Sequence, residues 1–110
     1  MFCGGIEDTF IADPYPATGK TLDEYELTGH YDNYLKDFEL VSSLGIKGLR
    51  WGIPWYKIEK EKGKFDFSFT DKAIEKLDSL GITVILDLMH YGTPLWLENA
   101  FIEDSYADRV

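Results

Sequence analysis

The sequence predicts a parallel α/β fold built from repeated helix-and-strand units. The tetrapeptide Ser-Leu-Gly-Ile occurs at residues 43–46 and again at 79–82, which places the two copies 36 residues apart. Each copy ends an amphipathic stretch and opens a β-rich run, and each run ends in polar and aromatic residues followed by a proline. A repeat of this length and pattern is typical of one helix plus one strand of a parallel α/β fold.

Three β-rich runs are the predicted strands of this fold. We expect strands at Phe2–Glu7, Lys47–Trp55 and Thr83–His90, lying side by side through right-handed crossovers. In the second run, apolar residues alternate with a face made of Gly48, Arg50, Gly52 and Pro54. The third run is nearly all apolar, as expected of a strand buried on both faces.

Two helices connect the predicted strands. Apolar residues recur at helical spacing over Tyr31–Leu44 and over Thr70–Leu80. Gly45 suits the left-handed position that follows a helix, and Gly81 follows the second helix in the same way. A further helix is predicted to start within Pro94–Ala100.

The connection from residue 8 to residue 30 is long for a compact fold and is therefore expected to be functional. It would follow the C-terminal end of the first strand. Its segment Asp13-Pro14-Tyr15-Pro16 breaks regular structure. The run Thr21-Leu22-Asp23-Glu24 has the form of a capping box and predicts one short helix.

Composition excludes several classes of partner and cofactor. The net charge of −9 repels nucleic acid and anionic lipid, and no basic stripe is present. No apolar run approaches the roughly 20 residues of a membrane helix, and no secretory signal is found, so we expect a cytoplasmic protein. The sequence has one cysteine, no metal-ligand spacing and no phosphate-binding glycine loop, so neither metal nor cofactor is expected.

Three polar residues fall at or near the ends of the three predicted strands. Parallel α/β folds carry their chemistry at the C-terminal strand ends, which draws attention to Glu7, Arg50 and His90. Taken singly, Arg50 could instead reach water over a sheet edge, and His90 could be a hydrogen-bonded residue near the core. Asp87 lies three residues before His90, so strict alternation would place the two on opposite faces unless the strand bulges. Glu98-Asn99 resembles a catalytic pair but falls in the expected helix, where solvent exposure is the better interpretation.

These residues resemble motifs of glycoside hydrolase family 1, the β-glucosidase family. The run from Leu49 to Ile58 is similar to its second-strand motif Tyr-Arg-Phe-Ser-Ile-Ser-Trp-Ser-Arg-Ile, with Arg50, Ile53, Trp55 and Ile58 matching in register. His90-Tyr91-Gly92-Thr93-Pro94 resembles His-Trp-Asp-Leu-Pro, and Gly5-Ile6-Glu7 resembles Gln-Ile-Glu. The chain departs from the family at Gly5, Tyr91 and Gly92, and residues 58–67 are also like other retaining glycosidases of the clan, including β-galactosidase types.

The resemblance implies a fold and a function. An eight-stranded barrel needs about 200–250 residues, so 110 residues would form about three βα units. We expect a single incomplete domain, residues 1–110, that is the N-terminal part of a TIM (β/α)8 barrel acting on β-linked glycosides. By resemblance, His90, Tyr91 and Glu7 contact the carbohydrate and Arg50 supports the nucleophilic carboxylate. Both catalytic carboxylates lie on later strands in such enzymes, so no catalytic residue is expected here and the isolated chain should be inactive.

Two other interpretations remain at this stage. The chain could be a truncated, non-catalytic barrel that binds sugar or associates with another chain through its open barrel edges. It could also be a small open α/β domain that binds a ligand at its strand ends. The sugar, the linkage and the oligomeric state are not encoded in any motif of this length.

Overall fold

A computed structural model describes residues 1–98 and 102–108 of the chain. Its elements follow in the order β1 (Cys3–Ile6), β2 (Phe10–Ile11), β3 (Leu22–Asp23), α1 (Glu24–Leu27), α2 (His30–Ser43), β4 (Gly48–Gly52), α3 (Trp55–Ile58), α4 (Ser68–Ser79), β5 (Thr83–Asp87) and a 3-10 turn (Tyr106–Asp108).

The main sheet has three parallel strands in the order β1-β4-β5, with β4 in the centre. Gly5 pairs with Arg50, and Arg50 pairs with Ile85, so these three residues share one face. The predicted parallel sheet and both long helices are confirmed. The architecture is that of consecutive βα units in a (β/α)8 barrel.

Both later strands end before the sequence predicts. β4 stops at Gly52 because Pro54 starts the helical turn α3. β5 stops at Asp87, whose partner Gly52 is the last residue of β4. An apolar run continues to Met89, but the ladder ends with the hydrogen bond from the Ile53 N–H to the Asp87 carbonyl, at 2.9 Å, because the next residue of the neighbouring strand is Pro54, which has no N–H.

The core lies between the sheet and the two long helices. Alternation along β4 turns Leu49 and Trp51 toward the helices, where both are almost fully buried. The opposite face carries Gly48, Arg50 and Gly52, as predicted. Among the described residues, the buried hydrophobic cluster consists of Phe38, Leu49, Trp51, Ala73, Leu77 and Ile82.

A buried histidine ties α2 to the central strand. The Trp51 indole Nε1 donates to His30 Nε2 over 3.2 Å. Because an indole N–H can only donate, Nε2 must accept, and Nδ1 therefore carries the ring hydrogen. That hydrogen is donated to Asp37 Oδ2, which lies 2.6 Å from Nδ1. His30 thus fixes the first turn of α2 against the sheet.

The connection between β1 and α2 folds back over the strand ends. β2 and β3 form a short antiparallel pair, and α1 follows. Asp23, rather than Thr21, caps α1: its Oδ1 accepts from the Glu26 N–H over 3.3 Å. Tyr25 is buried, and its hydroxyl donates to the Gly52 carbonyl over 3.0 Å. This contact places the connection directly above the end of β4.

The predicted helix at Pro94–Ala100 is wrong over its described part. Residues 94–98 form a turn closed by a hydrogen bond from the Leu97 N–H to the Pro94 carbonyl, at 3.0 Å. The Trp96 indole donates to the Glu59 carbonyl over 2.7 Å, which holds the segment against α3 instead of letting it coil. Asn99 and Ala100 lie outside the described residues. Within the described ranges, no helix is long and apolar enough to cross a membrane.

Candidate functional site

Four polar side chains meet at the C-terminal end of the sheet. They come from the end of β1 (Glu7), the middle of β4 (Arg50), the end of β5 (Asp87) and the segment after it (His90). Gly48 and Gly52 flank Arg50 on its face, and Cys3 and Asp8 fill the space that side chains at these two positions would take. The predicted convergence of Glu7, Arg50 and His90 is therefore present in the structure.

The Arg50 guanidinium is the centre of the cluster. Its Nη1 donates to Glu7 Oε1 over 2.8 Å, and its Nη2 contacts Asp87 Oδ2 and lies 2.9 Å from His90 Nδ1. The side chains of Arg50 and Glu7 remain 43 % and 45 % exposed. The cluster is thus ordered by its own contacts but open to a ligand.

His90 closes the cluster into a ring. Its Nε2 lies 3.1 Å from Glu7 Oε2, and its Nδ1 lies 3.1 Å from Asp87 Oδ2. A neutral imidazole that accepts from Arg50 at Nδ1 would carry its hydrogen on Nε2 and donate it toward Glu7. The Nε2–H of His90 and the carboxylate of Glu7 thus form a donor–acceptor pair at the exposed side of the cluster.

Asp87 also belongs to the cluster, although no pattern in the sequence assigns it a role. The expectation that Asp87 and His90 need a bulge to face one space is wrong. The strand ends at Asp87, so alternation no longer governs His90. A charged residue in an otherwise apolar strand was the signal available in the sequence. Asp87 contacts both Arg50 and His90 and, at 13 % exposure, is the least exposed of the four side chains.

Tyr91 extends the site beyond His90. Its ring packs edge-on against the His90 ring, with centroids 4.8 Å apart, and the residue is 66 % exposed. Among the described non-glycine residues, Tyr91 is the one with a positive φ, of 65°. Such a conformation costs about 1–3 kcal/mol and persists where the surroundings impose it. The next residue is Gly92, where a Cβ would lie 2.8 Å from the Tyr56 ring, so the chain passes this ring too closely for any other residue.

A buried carboxyl group lies beneath the cluster. Asp8 is fully buried, and neither of its carboxyl oxygens finds a hydrogen-bond partner in another described residue. Burial raises the pKa of Asp8 to about 8, and the negative charges of Asp87 and Asp23 raise it further. Asp8 fits because residue 52 is glycine: a Cβ there would lie 2.1 Å from Asp8 Oδ1.

A second buried carboxylate organises the connection above the site. Asp23 accepts from the Tyr31 hydroxyl at 3.1 Å and from the Tyr56 hydroxyl at 3.3 Å, and Lys57 Nζ lies 3.4 Å away. Burial raises the pKa of both tyrosines well above the usual range, so both remain hydrogen-bond donors. In the described ranges, no group of three or more His, Cys, Asp or Glu side chains is arranged to hold a metal ion.

Known proteins share this arrangement of strands and motifs. The family model described as β-galactosidase, of the glycoside hydrolase 42 type, matches residues 27–109. The chain belongs to this β-galactosidase family.

The relatives of this β-galactosidase-family chain include several kinds of β-glycosidase. β-Galactosidase BbgII of Bifidobacterium bifidum is 40 % identical over 73 residues, which is 66 % of this chain and 11 % of the relative. "Probable inactive beta-glucosidase 14" of Oryza sativa is 32 % identical over 78 residues, covering 66 % of this chain and 15 % of the relative. The chain therefore spans about a ninth to a seventh of the length of these relatives.

A solved structure supports the same fold. The family 1 β-glucosidase of Thermotoga maritima superposes with a TM-score of 0.59 at 29 % identity, covering 63 % of this chain and 16 % of the other. The predicted membership in this clan of β-glycosidase barrels is confirmed. Placement in family 1 itself stays a prediction, because the matching family model is the β-galactosidase one.

Proposed function

We propose that this chain supplies the first three βα units, and part of the sugar site, of a retaining β-glycosidase. The observation that carries the proposal is the ring of contacts among Glu7, Arg50, Asp87 and His90 at the C-terminal strand ends. That is the location where (β/α)8 barrels place their chemistry. The family match and the names of the relatives point to the same reaction class.

Each site residue has a proposed role. His90 and Glu7 hydrogen-bond hydroxyl groups of the sugar, and Tyr91 contacts its apolar face or the group attached to it. Arg50 orients the nucleophilic carboxylate, for which its planar, permanently charged fork is suited. Retaining hydrolysis uses an acid/base and a nucleophile whose carboxyl groups lie about 5–5.5 Å apart, and we propose that later strands of the barrel supply both.

Hydrolysis by the full-length protein tests the proposal. We expect turnover of 4-nitrophenyl β-glycosides. We expect Arg50→Lys to lower kcat/KM about 100-fold, because Lys keeps the positive charge but lacks the planar guanidinium that donates from two nitrogens. Lys36→Arg, on the exposed side of α2, is the matched control and should leave turnover unchanged. The 110-residue chain alone should show no turnover. If the 110-residue chain does hydrolyse the substrate, and Glu7→Gln or Glu98→Gln abolishes that turnover, the catalytic carboxylates are misassigned.

Sugar binding without hydrolysis is the second candidate. Arg50 already forms ion pairs with two carboxylates of its own chain, Glu7 and Asp87. In a catalytic role, its guanidinium would instead contact the nucleophilic carboxylate. Under this alternative, the full-length protein binds a β-glycoside, loses binding in His90→Ala, and shows no turnover. Titration calorimetry alongside the kinetic assay separates the two functions.

A further inference from the structure

The carboxyl group of Asp8 occupies the space that a side chain at position 52 would take. A Cβ on Gly52 would lie 2.1 Å from Asp8 Oδ1. Asp8 therefore completes the face of β4 that carries Arg50, and residues two apart on one face are separated by about 7 Å. Gly52 pairs with Asp87 of β5, and paired residues of a parallel ladder are neighbours on one face. The carboxyl groups of Asp8 and Asp87 thus lie side by side, next to Arg50.

Only one of these two neighbouring carboxyl groups has a counter-charge. Asp87 contacts Arg50 Nη2, whereas Asp8 is fully buried and neither of its oxygens finds a partner in another described residue. Like charges that share a site disfavour ionisation of the second group, and an unpaired buried charge is costly. We propose that Asp8, as a neutral carboxylic acid, is a positioning residue that keeps Arg50 on Glu7 and Asp87. The proposal rests on the proposed function, because these side chains form the sugar site.

The titratable groups that act on Asp8 belong to the strands and helices around it. They are Arg50 of β4, Asp87 of β5, Asp23 of β3, Tyr25 of α1, Tyr31 of α2 and Tyr56 of α3. Burial raises the pKa of all three tyrosines above the usual range, so they stay neutral. Arg50 is therefore the one cation in this described set. Burial is also the largest cause that raises the pKa of Asp8, to about 8.

Ionisation of Asp8 would compete for the guanidinium that organises the site. Arg50 could turn toward the new carboxylate and leave Glu7, whose Oε1 lies 2.8 Å from Arg50 Nη1. Otherwise the carboxylate would move out toward water, and Glu7, the residue before it, would move as well. Both routes separate Glu7 from Arg50. The assembled site therefore requires the protonated form of Asp8 and should be lost as the pH rises through about 8.

The pH dependence of turnover by the full-length protein tests the role of Asp8. kcat/KM is measured from about pH 6 to about pH 10 with 2,4-dinitrophenyl β-glucoside and β-galactoside, whose leaving group needs no protonation. Wild type should lose about tenfold per pH unit above about pH 8. Asp8→Asn, which keeps the shape without the acid, should extend the plateau by about one pH unit or more. Asp78→Asn, an exposed acid on α4, is the matched control and should keep the wild-type profile.

A second measurement distinguishes failure of this inference from failure of the proposed function. The ¹³Cζ shift of Arg50 is followed by NMR over the same pH range. It should titrate near pH 8 in wild type and stay constant in Asp8→Asn, whether or not the protein hydrolyses β-glycosides. If Asp8→Asn does not fold, the wild-type titration of the Asp8 carboxyl carbon together with Arg50 decides. A constant Arg50 shift in wild type, or a turnover profile of Asp8→Asn that coincides with wild type, would overturn the positioning role.

Discussion

The single positive charge of Arg50 lies between two carboxylates at the C-terminal end of the sheet. A lysine could neutralise the same charge, but it could not hold Glu7 on one nitrogen and Asp87 with His90 on another. The guanidinium fork therefore sets the positions of three side chains at once. Arg50 itself lies between Gly48 and Gly52 on that face of β4, where Cys3 and Asp8 fill the space that side chains would take.

Asp87 is expected to position Arg50 and His90. Asp87→Asn keeps the shape but removes the charge shared by both partners, so we expect the full-length protein to lose about tenfold in kcat/KM for β-glycosides. The ring ¹⁵N shifts of His90 should change as well, because its Nδ1 loses a charged neighbour. Asp78→Asn, an exposed acid on α4, is the control. Unaltered ring shifts in Asp87→Asn would contradict the positioning role.

Asp8 should make stability depend on pH. Its pKa rises from 3.8 to about 8 on folding, so the folded state keeps a proton that the unfolded chain releases above pH 4. The free energy of unfolding should therefore fall as pH rises from about 4 to about 8, by on the order of 5 kcal/mol in total, and level off above that range. Asp8→Asn should remove this component, so that the variant gains stability over wild type as pH rises.

Urea unfolding between pH 5 and pH 9 measures the effect of Asp8. The quantity compared is the difference in unfolding free energy between the variant and wild type at each pH. Asp13→Asn changes an exposed acid of the same connection and should give a difference that is nearly constant. A constant difference for Asp8→Asn too would mean that the buried carboxyl group does not hold its proton.

At the level of elements, α2 depends on one buried side chain for its attachment to β4. His30→Phe would leave the Trp51 indole N–H and the Asp37 carboxylate without their shared partner. We expect a loss of about 3 kcal/mol in unfolding free energy, because a buried donor is left unsatisfied. Leu35→Ala, on the exposed side of the same helix, should cost under about 1 kcal/mol. Equal losses in the two variants would argue against the bridge.

The elements also show how far the sequence predicts the fold. The repeat and the alternation around Arg50 are local patterns, and they identify β4, β5, α2 and α4 with small errors at the ends. The end of β5 depends on where its neighbour stops pairing, which no pattern within the strand contains. The turn at 94–98 depends on a distant contact, the bond from Trp96 to the Glu59 carbonyl.

The candidate site was predictable to a similar extent. Glu7 and His90 follow apolar runs, so their convergence with Arg50 follows from parallel topology alone. Asp87 and His90 were expected on opposite faces, because alternation was extended past Asp87, the true end of the strand. Asp8 was missed, since an acid after Glu7 gives no sign that Gly52 and Tyr25 will bury it.

For the molecule as a whole, the described sheet has two open edges, β1 and β5. Ile85 on the concave face is 53 % exposed, and Leu86 on the other face is 43 % exposed. Burying several hundred Å² of such surface is worth about 10 kcal/mol at about 25 cal/mol per Å². The net charge of −9 opposes contact, but salt near 0.15 M screens it beyond about 8 Å.

We therefore predict that the isolated 110-residue chain associates at tens of micromolar. Size-exclusion chromatography with light scattering measures this directly. Ile85→Lys places a charge on the open face beside an edge and should shift the chain toward monomer. Leu40→Lys, on the exposed side of α2, is the control and should not. A monomeric wild-type chain with cooperative unfolding would show that its core is closed without a partner.

The contact between Asp8 and Gly52 has an evolutionary consequence. The space for a side chain at position 52 is occupied by the carboxyl group of position 8, so the two positions can change only in a restricted order. A lineage that acquires serine at 52 must first shorten residue 8, and the reverse path requires glycine at 52 before an acid can appear. Gly52→Ser alone should therefore lower the free energy of unfolding strongly, and Asp8→Gly with Gly52→Ser should recover only part of the loss, because a Cβ at position 52 also lies 2.8 Å from the backbone nitrogen of residue 8. Across the family, we expect these two alignment columns to covary.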